Sequence, residues 1–460
     1  MKFIGRQEEL NIIKKDLNSD KFSCVLLYGR RRVGKTEVIS QCIKNRKEKV
    51  IFFTASKVSV SDNFELLCKY IAEEYSLSYS FNDFPSLFDF LSEKSKQEKT
   101  IVIIDEYSYL RESDVAIDSY LQQFIDKNIH NKNLSIVVSG SLVEIMKSII
   151  DSGEPLYGRF TSIIELKPFD YYEASLFFPN KTSEEKMQLY SVFGGIPHYL
   201  KLIDQDKSVE ENIIDLFFSK NTVMESEIEV FLNGELSKVE SANSVLSFVG
   251  NGSKSYQDIN QKLSSKKSGN NAAYILNKLV GIGVLDKEIE VNKDNSNRGL
   301  YYIQDNALLF FYSYVMPNKN RLSIMSGKAL YKKIIEKELK VNYYPKAFEK
   351  VCKEFLIRKN LMGEVDDLFY AIGRLTYHDK SSGENYEFDI VSANDNGYKD
   401  YECKYQEDKL TNKDIEVEVQ QGIKSKFNFY KYGFFSKNGF DKSVDRELYE
   451  LYTLDDLYKR

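Results

Sequence analysis

The sequence predicts an α/β protein in which a parallel sheet forms the first domain and smaller domains follow. Within residues 1–168, apolar runs typical of buried strands alternate with segments of helical spacing. Strands that alternate with helices pair in parallel and are covered on both faces. The chain has 460 residues, too many for one hydrophobic core, so we expect about two to four domains.

Composition limits the kinds of function that the chain can perform. Hydrophobic residues make up 42% and charged residues 29%, and the net charge of -5 gives no overall basic surface. Contact with nucleic acid would therefore need a local basic patch. The five cysteines are scattered without a C-x-x-C pair, which favours reduced, buried thiols over disulfides or a zinc site. Because the sequence lacks a membrane-length apolar run and a signal-peptide pattern, we expect a soluble, cytoplasmic protein with no membrane partner.

The first motif is a glycine-rich loop between a strand and a helix. Residues 24–27 are apolar, residues 29–36 read G-R-R-R-V-G-K-T, and apolar residues at helical spacing follow. This is the G-x-x-x-x-G-K-[ST] spacing of a phosphate-binding loop, in which backbone N–H groups and a helix N-terminus surround phosphate oxygens. We expect Lys35 to reach the β- and γ-phosphates and Thr36 to bind Mg²⁺. The residues predicted to bind a nucleoside triphosphate here are Gly29, Arg30, Arg31, Arg32, Val33, Gly34, Lys35, Thr36 and Glu37.

Acidic and hydroxyl side chains end two later strands. The apolar run 101–104 ends in Asp105 and Glu106, and the run 134–138 leads to Ser139. Carboxyl ends of parallel strands meet at one edge of a sheet, so these side chains should lie beside the phosphate loop. We expect Asp105 to hold Mg²⁺, Glu106 to orient and deprotonate the attacking water, and Ser139 to hydrogen-bond the γ-phosphate or that water. The alternative for the acidic pair is a helix N-terminus capped by carboxylates.

Three further features of this half have a functional and a structural interpretation. Arg6 follows Gly5 and offers a planar cation close in sequence to the phosphate loop, or it simply begins a helix. Arg159 follows Gly158 in a predicted loop and is a candidate arginine finger, acting in cis or across a subunit boundary, or a surface residue. Residues 194–197, G-G-I-P, demand a specific turn, which can also be a plain helix–helix connection.

The middle of the chain predicts a helical segment and then a small mixed domain. Residues 170–236 have helical periodicity, as expected of a helical lid on the nucleotide core. Three helices and a two-stranded wing around a polar tip then predict a winged helix; the helices are 245–249, 255–263 and 271–279, the strands 284–291 and 299–303, and the tip 292–298.

Lysines near the third of these helices suggest contact with DNA. Lys262, Lys266 and Lys267 lie just before it, where contacts to the DNA backbone would be made. The wing itself carries acidic residues, so an internal packing element is the alternative. The aromatic-rich residues 308–322 follow, and we expect them to form core that docks the last domain rather than a binding platform.

The last domain carries a second set of polar residues. Helical spacing is found at 348–357 and strand patterns at 368–372, 386–391 and 399–405. Asp389 lies on one strand and Glu402 and Lys404 on the next, where the period of two places them on one face. Two carboxylates can hold Mg²⁺ or Mn²⁺ while the lysine stabilises an attacking hydroxide, and Glu349 on the helix would complete the set. The alternative is an exposed face of alternating charges.

Taken together, these motifs resemble the archaeal-type P-loop ATPases, close to the AAA+ and STAND nucleotide switches, that carry a C-terminal domain of the PD-(D/E)XK nuclease type. The resemblance covers almost the whole chain, including the last-domain motifs at 372–374, 387–391, 402–404 and 434–440. It implies that Phe3 and Arg6, in the F-x-G-R-x-x-E-L box, lie near the adenine, and that Pro197, in the G-G-x-P turn, touches the nucleotide. The chain departs from the family in having no tryptophan, which should alter packing rather than chemistry.

These inferences give a domain plan and three hypotheses of function. The predicted domains are the ATPase core at 1–168, the helical lid at 169–238, the winged helix at 239–305, a linker or docking segment at 306–345 and a restriction-endonuclease-like α/β domain at 346–460. The first hypothesis is a Mg²⁺-dependent ATPase that acts as a nucleotide switch. The alternatives are an ATP-gated, metal-dependent DNA nuclease and a non-enzymatic regulator that binds DNA or a protein partner. The expected ligands are ATP and Mg²⁺, with Mg²⁺ or Mn²⁺ at the last domain, and the chain could form oligomers.

Overall fold

The computed structural model describes residues 3–78, 80–220, 222–236, 239–264, 272–293, 299–379 and 383–459. The chain separates into two compact units, Met1–Pro168 and Phe169–Arg460. Within the described ranges, every helix is too short or too polar to span a bilayer.

The first unit is built on a sheet whose strands, among the described residues, number five and run parallel. They are β1 (Ser23–Tyr28), β2 (Lys49–Thr54), β3 (Thr100–Asp105), β4 (Leu134–Gly140) and β5 (Ser162–Glu165). Their order in the sheet is β2-β3-β4-β1-β5. Every residue of β1, β3 and β4 is buried, as expected of central strands covered on both faces. The predicted α/β fold with a parallel sheet is thereby confirmed.

Helices cover both faces of this sheet. They are α1 (Gln7–Leu17), α2 (Lys35–Ile43), α3 (Val60–Tyr75), α4 (Phe84–Gln97), α5 (Tyr107–Ser113), α6 (Ala116–Asn128) and α7 (Val143–Ser148). Alternate residues of β1 enter different hydrophobic clusters: Cys24 and Leu26 pack with α3, α4 and α6, whereas Val25 and Leu27 pack with α1 and α2. The two clusters therefore bury both faces of the sheet.

The second unit begins with helices. These are α8 (Tyr171–Ser175), α9 (Ser183–Phe193), α10 (Pro197–Leu202), α11 (Val209–Ile213) with a π-helical turn at Ile214–Phe218, and α12 (Val223–Glu235). Residues 169–220 and 222–236 contain no strand, as the helical periodicity predicts. Side-chain caps from Asp170, Thr182 and Ser208 begin three of the helices and satisfy backbone N–H groups there.

A small domain of helices and antiparallel strands follows. It contains α13 (Val239–Val249), β6 (Lys254–Ser255), α14 (Tyr256–Ser264), α15 (Ala272–Gly281), β7 (Leu285–Glu288) and β8 (Leu300–Ile303), with the strand order β6-β8-β7. The predicted helices and the two wing strands are present, and β6 was missed because two residues show no alternation. Lys266, Lys267 and tip residues 294–298 lie outside the described residues. The name winged helix stays a prediction.

The segment predicted as a linker is helical. It contains α16 (Asn306–Phe310), α17 (Lys319–Leu322), α18 (Gly327–Leu330) and α19 (Glu336–Glu338), with π-helical turns at Phe311–Val315, Tyr331–Ile335 and Leu339–Tyr343 and a 3₁₀ turn at Met316–Asn318. Phe310, Phe311 and Tyr312 are buried. These aromatic rings are therefore core, as the sequence indicated.

The last part of the chain is a mixed sheet with helices before and within it. It contains α20 (Tyr344–Met362), β9 (Ala371–His378), β10 (Asn385–Asn394), β11 (Gly397–Lys404), α21 (Asn412–Lys424), β12 (Phe429–Ser436), β13 (Glu450–Thr453) and a 3₁₀ turn at Asp456–Tyr458. The strand order is β13-β12-β11-β10-β9. Strand β10 pairs antiparallel with β9 and β11, whereas β11, β12 and β13 are parallel. The predicted strand 368–372 was wrong, because Leu368 and Tyr370 are exposed and the strand begins at Ala371.

Candidate functional site

The glycine-rich loop joins β1 to α2 at the carboxyl edge of the first sheet. A Cβ atom on Gly29 would lie 2.3 Å from the carbonyl oxygen of Leu166, just beyond β5, so this position needs glycine. Gly34 has a φ of 99°, which also favours glycine, and it is the N-cap residue of α2. The ammonium group of Lys35 donates to the carbonyl oxygens of Gly29 at 2.9 Å and Arg30 at 3.3 Å. The loop therefore wraps around its own lysine at a helix N-terminus.

The remaining residues of the loop divide into buried and exposed side chains. Val33 is buried in the cluster of α1 and α2, so its backbone alone is available to a ligand, and its contact with phosphate stays a prediction. Arg30 is buried, whereas Arg31 and Arg32 are exposed at the turn. Glu37 is exposed and accepts a hydrogen bond from Gln41 one turn later on α2.

Asp105 ends β3 and accepts three hydrogen bonds. Thr36 donates its hydroxyl to Oδ2 at 2.9 Å, and the N–H of Glu106 donates to Oδ1 at 3.1 Å. Ser139, on the neighbouring strand β4, donates its hydroxyl to Oδ1. The sequence predicted that Ser139 binds phosphate or water, but its hydroxyl is used on Asp105, because adjacent parallel strands place the two residues side by side. Thr36 and Asp105 thus offer neighbouring oxygen ligands of the kind that Mg²⁺ prefers.

Glu106 is held by a residue that sequence reasoning missed. The N–H of Ser141 donates to Glu106 Oε2 at 3.1 Å and the Ser141 hydroxyl donates to the same oxygen at 2.6 Å. Glu106 has a φ of 55°, and a residue other than glycine adopts this left-handed conformation at a cost of roughly 1–2 kcal/mol. In the sequence, Ser141 is the second serine of the S-G-S motif, two positions after Ser139, the residue that was predicted instead.

A buried ion network fixes the helix that follows Glu106. Arg111 on α5 donates to Asp118 at 2.6 Å, to Ser148 at 3.0 Å and to Glu154 at 3.0 Å. Tyr107 donates its hydroxyl to Asp118 at 2.6 Å, and Asp118 is fully buried on α6. Because these contacts join α5 to α6 and α7, the start of α5, which Glu106 directly precedes, is tied to the core of the unit.

The N-terminal residues Phe3 and Arg6 contact residues that neighbour the phosphate loop. Arg6 donates to the carbonyl oxygen of Lys167 at 2.5 Å and pairs with Glu9 at 3.2 Å. Lys167 directly follows Leu166, against which Gly29 packs. Phe3 packs on the hydrophobic cluster that contains Val33. Contact of Phe3 and Arg6 with adenine stays a prediction.

Two other candidate residues lie in other parts of the structure: Arg159 is at the edge of the sheet opposite the phosphate loop, and Pro197 is in the second unit. Arg159 pairs with Asp126 through two hydrogen bonds of 2.9 and 3.0 Å. It lies three residues before β5 begins, at the amino edge of a sheet whose carboxyl edge carries the phosphate loop. The prediction that Arg159 is an arginine finger acting in cis is therefore wrong. Its role across a subunit boundary stays a prediction. Pro197 begins α10 in the second unit, and its contact with nucleotide also stays a prediction.

The second set of predicted residues lies together in the last domain. The N–H of Cys403, between Glu402 and Lys404 on β11, donates to Asp389 on β10 at 3.1 Å. Lys404 donates to Glu402 at 2.6 Å and to Glu418, on α21, at 2.8 Å. Neither α21 nor Glu418 was predicted.

The carboxyl groups of this set crowd one another. Burial, with the charge of Asp389 nearby, raises the pKa of Glu402 to about 9 and that of Glu349 to about 7. Burial also raises the pKa of Asp389. Asp400, two residues before Glu402 on β11, is buried with Oδ1 unbonded among the described residues, and its pKa is well above the usual range. The D-x-E-x-K spacing was the signal for Asp400 in the sequence.

Neither set has the geometry of a closed metal site. Within the described ranges, no group of three or more histidine, cysteine, aspartate or glutamate side chains is placed to hold a metal ion. At the first site, the hydroxyl of Thr36 beside the Asp105 carboxylate fits Mg²⁺ that is bound with phosphate and water ligands. At the second site the Lys404 ammonium occupies the position between Glu402 and Glu418, so the carboxylates are present without being gathered around one point.

The first unit has the site of a P-loop ATPase. A parallel sheet carries the glycine-rich loop at its carboxyl edge, with a lysine inside the loop and a hydroxyl–carboxylate pair beside it. Residues 3–203 match the family described as an ATPase domain predominantly from Archaea, and residues 311–417 match the family described as "Archaea bacterial proteins of unknown function". The chain therefore carries an archaeal-type ATPase domain followed by a C-terminal domain of the second family.

Two individual proteins are also similar in sequence. An uncharacterised protein of Methanocaldococcus jannaschii is 28% identical over 410 residues, covering 86% of this chain and 85% of that protein. An uncharacterised ATP-binding protein of the same organism is 45% identical over 47 residues, covering 10% of this chain and 80% of that protein.

Two solved structures are also similar. A Walker-type ATPase of Pyrococcus abyssi has 21% identity, covers 67% of this chain and 96% of its own, and has a TM-score of 0.48. The ORC2 protein of Aeropyrum pernix has 13% identity, covers 73% of this chain and 94% of its own, and has a TM-score of 0.47.

Proposed function

We propose that the first unit binds ATP with Mg²⁺ and hydrolyses it to ADP and phosphate, and that this reaction serves as a nucleotide switch for the later domains. The observation that carries the proposal is the contact of Thr36 with Asp105 at 2.9 Å beside the Lys35 loop. A hydroxyl at the start of α2 and a carboxylate at the end of β3 are the protein ligands that phosphoryl transfer requires.

Each residue of the site then has a defined task. The loop N–H groups and the N-terminus of α2 bind the phosphates, and Lys35 leaves the carbonyl oxygens of Gly29 and Arg30 to bind the β- and γ-phosphates. Thr36 and Asp105 would hold Mg²⁺, which neutralises charge on the phosphates when bound. Glu106 orients the attacking water and accepts its proton.

The test is nucleotide binding and steady-state hydrolysis in matched variants. Lys35→Ala should lower ATP affinity at least tenfold, whereas Glu106→Gln should leave affinity within about twofold and lower kcat by roughly 10²–10⁴-fold, the usual contribution of a general base. Lys15→Ala and Glu8→Gln change exposed residues of α1 and serve as controls. Binding that survives Lys35→Ala, or turnover that survives Glu106→Gln, would overturn the assignment.

The switch proposal concerns what turnover does to the second unit. It is supported by the occurrence, on one chain, of an ATPase domain and of a further family domain at residues 311–417. Limited proteolysis with ADP and with ATP on the Glu106→Gln variant tests it. Different cleavage patterns within residues 169–460 are expected, and identical patterns would contradict the switch.

A second candidate function, metal-dependent cleavage of DNA, is favoured by the last domain. Asp389, Glu402 and Lys404 are neighbours across β10 and β11, with Glu349 on the preceding helix α20. Incubation of DNA with the protein, Mg²⁺ or Mn²⁺ and ATP should give products that Asp389→Ala abolishes. Asp395→Ala, on the exposed turn between the same strands, is the control. If Asp389→Ala and Asp395→Ala cleave DNA equally well, the cleavage is due to a contaminant.

The domain of α13–α15 is proposed to transmit the switch by packing rather than to bind DNA strongly. Lys262 lies over the ring of Phe248, 5.6 Å from its centroid, and Asp286 and Glu288 lie on the adjacent wing strand β7. Among the residues that the structure describes here, acidic side chains thus accompany Lys262, whereas phosphate contacts need a basic face. Salt-dependent binding of labelled duplex DNA that Lys262→Ala weakens would contradict the packing role.

A further inference from the structure

Ser141, a buried serine just after β4, contacts the proposed general base Glu106. Ser141 donates twice to one oxygen of Glu106, through its N–H at 3.1 Å and its hydroxyl at 2.6 Å. Ser141 is buried, at the point where β4 has just ended. Two donors on one carboxylate oxygen fix both the rotation of the side chain and the plane of the carboxylate.

The second oxygen of Glu106 has different surroundings. Oε1 has no hydrogen-bond partner in the part of the chain that the structure describes, and it is not among the buried unbonded atoms, so water reaches it. The backbone of Glu106 is left-handed, and α5 behind it is held by the Arg111 network. Backbone and Oε2 are therefore both fixed, while Oε1 is accessible.

This division between the two oxygens suits a general base. One oxygen must accept the proton of the attacking water, and a second contact must keep the group oriented while it does so. Orientation of a catalytic side chain by a buried hydrogen-bond partner is how an aspartate assists the histidine of serine proteases.

We propose that Ser141 is the positioning residue for Glu106, anchoring Oε2 so that Oε1 is presented to the attacking water. The inference rests on the proposed function of Glu106 in ATP hydrolysis. Thr36 and Ser139 do the corresponding work on Asp105, so hydroxyl groups orient both acidic residues of the site.

The test compares the kinetics of Ser141→Ala, Ser141→Thr, Ser108→Ala and Glu106→Gln. Ser141→Ala should lower kcat about tenfold or more and leave KM and ATP affinity within about twofold, because Glu106 does not bind the nucleotide. Ser141→Thr keeps both donors and should retain kcat within about threefold. Ser108 is a fully buried serine on α5 whose hydroxyl has no partner among the described residues, so Ser108→Ala controls for loss of a buried hydroxyl near Glu106.

A double variant separates positioning from a structural role. In the Glu106→Gln background, Ser141→Ala should cause no further loss of kcat, since the group that it positions can no longer act. An unchanged or increased kcat in Ser141→Ala, with Glu106→Gln inactive, would overturn this inference and leave the ATPase assignment standing. Equal losses in kcat, ATP affinity and melting temperature would make Ser141 structural. Absence of turnover in the wild type would overturn both proposals.

Discussion

The two groups of buried carboxylates in this chain are stabilised to different degrees by their neighbours. In the first unit, Asp105 accepts from Thr36, Ser139 and the backbone of Glu106. In the second, Glu402 shares the Lys404 ammonium with Glu418, and its pKa is raised to about 9. In the first group, hydrogen-bond donors hold the carboxylate of Asp105 in place. In the second, two carboxylates share one ammonium group, so binding a proton or a cation would stabilise the cluster. The difference predicts opposite responses to the loss of one charge.

The largest effect is expected where a compensating charge is removed from the first unit. Arg111→Ala would leave the fully buried Asp118 without its guanidinium partner, and breaking a buried pair in this way costs about 3–5 kcal/mol. Chemical denaturation should show this loss, and ATP turnover should fall because Glu106 directly precedes α5.

Two variants sharpen this measurement. Asp118→Asn in the Arg111→Ala background should recover part of the lost stability, because it removes the uncompensated charge. Lys57→Ala breaks an exposed pair with Glu112 at 3.8 Å and should cost less than about 0.5 kcal/mol. Similar losses in Arg111→Ala and Lys57→Ala would show that the network contributes little.

An intermediate effect, of opposite sign, is expected in the second unit. The raised pKa of Glu402 means that the folded state binds more protons than the unfolded state between about pH 4.5 and pH 9. Stability should therefore be highest near the acidic end of this range and fall as the pH rises. Glu349, with a pKa of about 7, adds to the fall over the lower part of the range.

Glu402→Gln tests this expectation. The amide keeps an acceptor for Lys404 but cannot ionise, so the variant should be more stable than the wild type at pH 9, by on the order of 1 kcal/mol. Melting temperatures across the pH range check it, with the exposed Glu447→Gln as control. If the cluster binds a cation, Mn²⁺ should also flatten the pH dependence of the wild type. A destabilised variant at pH 9 would mean that Lys404 compensates the cluster fully.

Local patterns predicted which residues lie together at the carboxyl edge of the first sheet, and predicted the set in the last domain only in outline. Gly29, Lys35, Thr36, Asp105 and Glu106 lie within short motifs at strand ends, and a parallel sheet brings such ends together whatever the details of packing. The pairing of Ser139 with Asp105 could not be foreseen, because a hydroxyl at a strand end has several candidate partners.

Contacts between distant segments were harder to predict from the sequence. The Arg111–Asp118 pair spans a break between two helices, and Glu418 reaches Lys404 from a helix whose charged sequence concealed its buried Ile415. The start of β9 was misplaced because apolar side chains such as Leu368 are exposed just before it. In each case, the deciding contact depends on tertiary packing rather than on residue pattern.

The smallest effect is expected from Arg159→Ala. This variant removes a more exposed ion pair than the buried Arg111–Asp118 pair discussed above. The Arg159–Asp126 pair is half-exposed, and exposed pairs contribute about 0–1 kcal/mol. Because Arg159 lies at the amino edge of the sheet, turnover by a monomer should stay within about twofold of the wild type. Measuring kcat over a range of protein concentrations checks this, with Asp126→Ala as the matched control. A loss in Arg159→Ala alone that grows with protein concentration would place the arginine in the site of a neighbouring subunit, whereas a loss in both variants at every concentration would mean that the ion pair supports the fold of the ATPase unit.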